Sequence, residues 1–268
     1  MIAFSLKKSL LFTAFCCCSL SVVPVIANET LDNEELFVAK APSPASIFLI
    51  TNYGATPNST ADAVPAIQRA LAAAQNYVKS TGRRAVVRIP RGTFYFSQCV
   101  LDNLDNITIH LNRQAVLQAF NKSSSINADN PYITFQNGDN FILSGDPAST
   151  IDGAGSSWWS SSGNRPYFIS INGCSNYQIY GLAINNSPFH TLCLFDSTNG
   201  VIHDLTITSP ATSPNTDGID PKSGIDGLEI YNCTINNGDD AVAIVSQLNP
   251  MNNKGDKLKI QVINGSHI

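Results

Sequence analysis

The chain has 268 residues, of which 43% are hydrophobic and only 13% charged. Such sparse charge argues against a surface of solvated helices, and the steady recurrence of apolar residues argues against disorder. The formal net charge is −4, or −6 once Lys7 and Lys8 are set aside with residues 1–27; that field does not attract nucleic acid, and any anionic polysaccharide would need local cations to bind.

Residues 1–27 have the layout of a secretory signal. Lys7 and Lys8 precede an apolar run over residues 10–25, and Val25-Ile26-Ala27 offers a small-residue cleavage site. The run is short for a membrane span and is broken by Pro24. Cys16, Cys17 and Cys18 follow Phe15, where a lipobox needs a small residue. Residues 28–46 read as a leader and 47–268 as one domain. A secreted product is expected (extracellular, periplasmic or in the cell wall), with no membrane association after cleavage. Cys99, Cys174, Cys193 and Cys233 then remain, and export permits disulfides in any of three pairings.

Residues 47–50 read as a strand. A helix is expected over residues 61–79, where Val64, Ile67, Leu71, Ala74 and Val78 recur at three- and four-residue steps. Thr60 or Asp62 can cap it, and Pro65 suits its first turn. After Gly82 the helical period ends and short alternating stretches take over. Leu143, Ile179, Ile202, Ile230 and Ile260 stand 36, 23, 28 and 30 residues apart, a spacing that signals a solenoid. Short β-branched strands with no helices between them point to a parallel β-helix, with Asn-Gly, Asn-Asn and Asp-Gly pairs at its turns. The helix would cover the exposed end of the first coil. The last residues, His267-Ile268, fall inside an apparent coil, so the C-terminal coils are expected to be missing.

Two acidic clusters stand out: Asn215-Thr216-Asp217-Gly218-Ile219-Asp220 and Gly238-Asp239-Asp240-Ala241-Val242. Alignment as one strand on successive coils matches Asp217 to Asp240 at a step of 23, and adds His190 and His267 at steps of 27. Neighbouring strands lie about 4.7–4.9 Å apart. His190, Asp217, Asp240 and His267 should therefore form a column, with Asp239 beside it. Clustered carboxyls are costly and raise the pKa of at least one member, an arrangement suited to acid–base hydrolysis of a glycosidic bond. Inverting and retaining geometries differ by only a few ångströms, and spacing alone leaves both open. Strict alternation would set Asp217 and Ile219 on one face; a turn–strand junction at Asp217 removes the conflict.

From residue 47 onward the chain resembles the polygalacturonases, glycoside hydrolase family 28, whose fold is the pectin lyase-like β-helix. The resemblance rests on Asn52-Tyr53-Gly54-Ala55, Ala66-Ile67-Gln68, Val87-Arg88-Ile89-Pro90-Arg91-Gly92-Thr93-Phe94, Ile151-Asp152-Gly153-Ala154-Gly155, Arg165-Pro166 and Asn186-Ser187-Pro188, and most specifically on Asn215-Thr216-Asp217 and Gly238-Asp239-Asp240. It implies a single-stranded right-handed parallel β-helix that hydrolyses α-1,4-galacturonosyl bonds with inversion. It further implies Asp239 as general acid, Asp217 and Asp240 holding the water, and Asn215 touching substrate. His267 matches a supporting histidine, although Ile268 stands where the family has Gly. The family's Arg-Ile-Lys motif is absent, and Lys254, Lys257 and Lys259 are expected on a solvated loop rather than in its place.

His190 and Asp220 are secondary substrate-contact candidates. Trp158 and Trp159 are expected to be structural, and Cys233 to be buried in the core. No metal, no cofactor, no nucleic-acid partner and a monomeric state are expected. The rivals are a rhamnogalacturonan or exo-acting hydrolase of the same family, a calcium-dependent pectate lyase, and a truncated β-helix that only binds carbohydrate. The lyase needs a strong base, usually Arg, and no Arg follows Arg165.

Overall fold

The computed structural model describes residues 46–161, 163–245, 257–260 and 263–265. The expected signal, residues 28–45 of the expected leader, Lys254 and His267 lie outside them. The chain winds as a right-handed parallel β-helix of three sheets. The first sheet runs from Ser46–Leu49 to Lys257–Ile260 and the second from Ser59–Asp62 to Ile263–Gly265, each with eight strands. The third has five: Cys99–Asp102, Ile133–Gln136, Ile169–Asn172, Leu192–Phe195 and Ile219–Ser223. A strand must wind through the other two sheets before it meets its neighbour, which makes every pairing parallel.

The repeat legible in the sequence is one internal column. Val87, Ile109, Leu143, Ile179, Ile202 and Ile230 pair in register and all lie inside. In the second sheet Phe94, Leu117, Ile151, Ile184, Ile207 and Ile235 form another. Alternation explains both, since in Ala85–Ile89 the first, third and fifth residues are buried and the other two half-buried. Asn106, Asn140, Asn176 and Asn199 occupy one turn of successive coils with φ of 54, 55, 53 and 52°, a left-handed conformation that Asn tolerates. Their amides donate back to the preceding coil: Asn140 Nδ2 to Asn106 Oδ1 at 2.7 Å, Asn176 Nδ2 to Asp139 Oδ1 at 2.7 Å, and Asn199 Nδ2 to Asn176 Oδ1 at 3.0 Å.

The helix spans Val64–Thr81 rather than residues 61–79. Thr60 and Asp62 belong to the strand Ser59–Asp62, where pairing with the next coil outcompetes helix extension. Asp62 Oδ1 nevertheless accepts from the Val64 amide at 3.0 Å, and Pro65 stands in the first turn. The buried stripe of Ala66, Ile67, Ala70, Leu71 and Ala74 packs on the first coils, and Ile67 meets the interior beside Ile89, Phe96 and Leu101. Among the described residues, no helix is long and apolar enough to cross a membrane.

Cys99, Cys174, Cys193 and Cys233 are all unpaired, so none of the three disulfide pairings forms. Cys233 stacks in the core beneath the positions of Leu182 and Leu205. Trp158 is buried edge-on to Tyr132, and Trp159 Nε1 donates to Ser187 O at 3.0 Å. Both tryptophans are therefore engaged in the scaffold. Lys257 and Lys259 lie on a strand paired to Asp226–Tyr231, not on a loop; pairing continues the first sheet where loop composition alone suggested solvent.

Candidate active site

Both acidic motifs sit on loops that enter the third sheet. Leu192 pairs with Ile219, and Ile219 bridges Val242. His190, Asp217 and Asp240 therefore follow one another on adjacent rungs. The backbone agrees: Thr191 N donates to Asp217 O at 2.8 Å, and Gly218 N to Asp240 O at 2.9 Å. The strand begins only at Ile219, so Asp217 lies at the junction and is not bound by alternation.

Asn237, which sequence reasoning passed over, fixes the spacing of the two motifs. Its buried amide donates to Thr216 O at 2.7 Å and to Asp240 O at 2.8 Å. Thr216 Oγ1 in turn accepts from Gly238 N at 3.0 Å. Gly218 makes the close approach possible. A Cβ there would lie 2.5 Å from Ala241 O and 2.8 Å from Ile235 Cγ2. Gly218→Ala should force the loop off its neighbour, costing about 1–3 kcal/mol of stability. Displacement of Asp217 by about 1 Å should reduce turnover by up to about 10²-fold. A thermal melt alongside the rate of glycosidic cleavage checks both, and wild-type values in each would show that the rungs have slack.

His190 Nδ1 lies 2.8 Å from Asp217 Oδ2 and 2.6 Å from Asp220 Oδ2. One Nδ1 faces two carboxylate oxygens and is in line with neither. Asp220 is 0% exposed and Asp217 6%. Lys222 Nζ adds a second cation 2.7 Å from Asp220 Oδ2. Burial opposes the imidazolium, but Asp217 and Asp220 outweigh it and raise the His190 pKa. Lys222 behaves likewise, its desolvation being outweighed by Asp220. Phe189 and Tyr167 wall the imidazole edge-on, with centroids at 4.0 and 5.4 Å. The donor atoms of His190, Asp217 and Asp220 lie within 4.8 Å of one another, close enough for a divalent cation. The Lys222 ammonium, however, already occupies the Asp220 carboxylate.

One expectation is revised: Asp220, closed over by His190 and Lys222, has no surface to offer a substrate. His190 directs Nδ1 at Asp217 and Asp220 and keeps part of its ring exposed. Lys222 was legible in principle, because it stands two residues beyond Asp220 on the same strand. Asp239 is half-buried and Asp240 exposed, so these two face the groove. Asp239 Oδ1 accepts from the Asp240 amide at 3.1 Å, and Oδ2 accepts from Asn215 Nδ2 at 3.4 Å. A depression of about 320 Å³ lined by Asp129, Arg165, Tyr167 and Phe189 lies on neighbouring loops.

The family model for glycosyl hydrolases family 28 matches residues 80–265. An exopolygalacturonase of Zea mays is 28% identical over 214 residues, covering 77% of this chain and 50% of that one. A polygalacturonase structure from Erwinia carotovora superposes with a TM-score of 0.64 at 23% identity, covering 84% of this chain and 63% of that one. An endo-xylogalacturonan hydrolase from Aspergillus tubingensis gives a TM-score of 0.64 at 26% identity, covering 81% and 57%. The chain spans about half the length of the curated relatives it matches. With the model covering well over half of the chain and both acidic motifs one rung apart, the chain belongs to glycosyl hydrolases family 28.

Proposed function

We propose that the protein is a secreted hydrolase of α-1,4-galacturonosyl bonds in polygalacturonan, the backbone of pectin, and that it inverts configuration. The observation that carries this reading is the adjacency of Asp217 and Asp240 on neighbouring rungs, with Asp239 beside them at the groove. In this mechanism Asp239 gives its proton to the glycosidic oxygen as the bond from that oxygen to the anomeric carbon breaks. Water held by Asp217 and Asp240 attacks from the other face, bonds to the carbon and leaves its proton on a carboxylate. Asn215 contacts the sugar, and His267 takes the supporting role that the family resemblance assigns it. His190 pairs with Asp217 and Asp220, and Lys222 pairs with Asp220. The names of the relatives, exopolygalacturonase and endo-polygalacturonase, suit this substrate.

The test is incubation of the 268-residue chain with polygalacturonate. Reducing ends should appear, with inverted anomeric configuration by NMR, undiminished by a chelator and without the ultraviolet absorbance of an unsaturated product. Unsaturated, chelator-sensitive products would make it a lyase, and no products at all would end the hydrolase reading. A slow fall in viscosity relative to bond cleavage would mark exo action, and preference for rhamnogalacturonan would move the substrate within the family.

A further inference from the structure

We propose that Arg165 is a positioning residue for Asp239 and acts through the side-chain amide of Asn215; the inference rests on the general-acid role proposed above. Arg165 stands on the loop that leads into Ile169–Asn172, two strands of the third sheet before Ile219–Ser223. Its half-buried guanidinium reaches across the intervening loops. Nη1 donates to Pro188 O at 3.1 Å and to Pro214 O at 2.5 Å, while Nη2 donates to Asn215 Oδ1 at 2.7 Å. Its carbon lies 4.6 Å from the centroid of the Phe189 ring, which holds the fork flat. The other end of the same amide, Asn215 Nδ2, points to Asp239 Oδ2 at 3.4 Å.

The two ends of an Asn amide are nearly identical in shape and differ in hydrogen bonding. A guanidinium has donors and no acceptor, so only Oδ1 can face Arg165. That choice leaves the NH2 facing Asp239. The orientation matters when Asp239 hands its proton to the leaving oxygen and becomes a carboxylate. A fixed N–H at that oxygen stabilises the developing charge, and polarisation of the amide by the guanidinium makes it a better donor. A flipped amide would present Oδ1 to the new carboxylate and oppose the transfer. Lys could supply the charge but not the planar fork that reaches two carbonyls and the amide together.

The test compares two substrates, polygalacturonate and an aryl galacturonide whose phenolate departs without being protonated. Arg165→Met should lower kcat on polygalacturonate by about tenfold, the equivalent of one charge-assisted hydrogen bond lost in the transition state, with KM little changed. On the aryl substrate the loss should be much smaller. In an Asn215→Ala background Arg165→Met should add nothing, since the relay is already cut. Should Arg165→Met fail to fold, Arg165→Lys carries the same comparison. Equal losses on both substrates, or a full second loss in the Asn215→Ala background, would reduce Arg165 to a loop clamp and overturn the inference alone. A parent chain that cleaves neither substrate would take the general-acid reading down with it.

Discussion

Asp239→Asn should lower kcat on polygalacturonate by about 10²–10⁴-fold, the usual contribution of a general acid. Besides the proton, the substitution gives up one weak contact, the 3.4 Å one from Asn215 Nδ2 to Oδ2. Asn keeps the shape of Asp, and an amide oxygen can still accept from the Asp240 backbone at the Oδ1 position, 3.1 Å away. Asp239 is only half-buried and, among the described residues, no ion pair ties it down, so the melting curve should stay within about 0.5 kcal/mol of the parent. What Asn cannot do is release a proton to the departing oxygen. The loss should therefore shrink on an aryl galacturonide. Asp240→Asn should be equally damaging on polygalacturonate but gain nothing from the better leaving group, because its assigned partner is the water. Reducing-end release by the three proteins on the two substrates checks this pattern. Equal rates for Asp239→Asn and parent, or rescue of Asp240→Asn instead, would reassign the roles.

The sequence carried the scaffold well because the scaffold is a repeat. Leu143, Ile179, Ile202 and Ile230 could be aligned by residue type alone, and they form one internal column. The same logic gave the register of His190, Asp217 and Asp240, for residues at equivalent positions of successive coils must be neighbours. It failed where side chains leave the repeat. Asp220 follows core-facing Ile219 on its strand, so alternation points it outward, and only the cover of His190 and Lys222 brings it to 0% exposure; His190 lies on a loop entering the third sheet, which alternation does not govern. The reach of Arg165 to Asn215 spans 50 positions in sequence, with no period to announce it. Asn237 precedes Gly238 as one polar residue among many until its amide is seen bridging two coils. The helix boundary erred for a related reason: residues 59–62 pair with Phe94 and Tyr95 across the first coil, a tertiary contact that overrides local helix preference.

His190→Gln should destabilise the protein by about 3 kcal/mol below pH 6, the lower end of the cost of breaking a buried ion pair, which corresponds to a fall in Tm of roughly 6–12 °C for a domain of this size. The imidazole lies between two carboxylates at 2.8 and 2.6 Å, and Gln of similar reach removes the charge while leaving Asp220 buried. The dependence on pH separates this cause from simple loss of packing. The folded state holds the His190 proton more tightly than the unfolded chain, because Asp217 and Asp220 together outweigh desolvation. The stabilisation is thus complete below the unfolded value of about 6.5 and disappears as pH rises through the higher folded value. The gap in Tm between parent and His190→Gln should accordingly be widest in acid and close toward alkaline pH. Lys222→Met gives the contrasting case. Its ammonium also holds a raised pKa beside Asp220, but it starts from an unfolded value near 10.4, so its gap should stay constant from about pH 5 to 9. Calorimetry of the three proteins across that range decides the matter. If the His190→Gln gap is flat, or widens as the pH rises, then packing against Phe189 and Tyr167 is what His190 contributes.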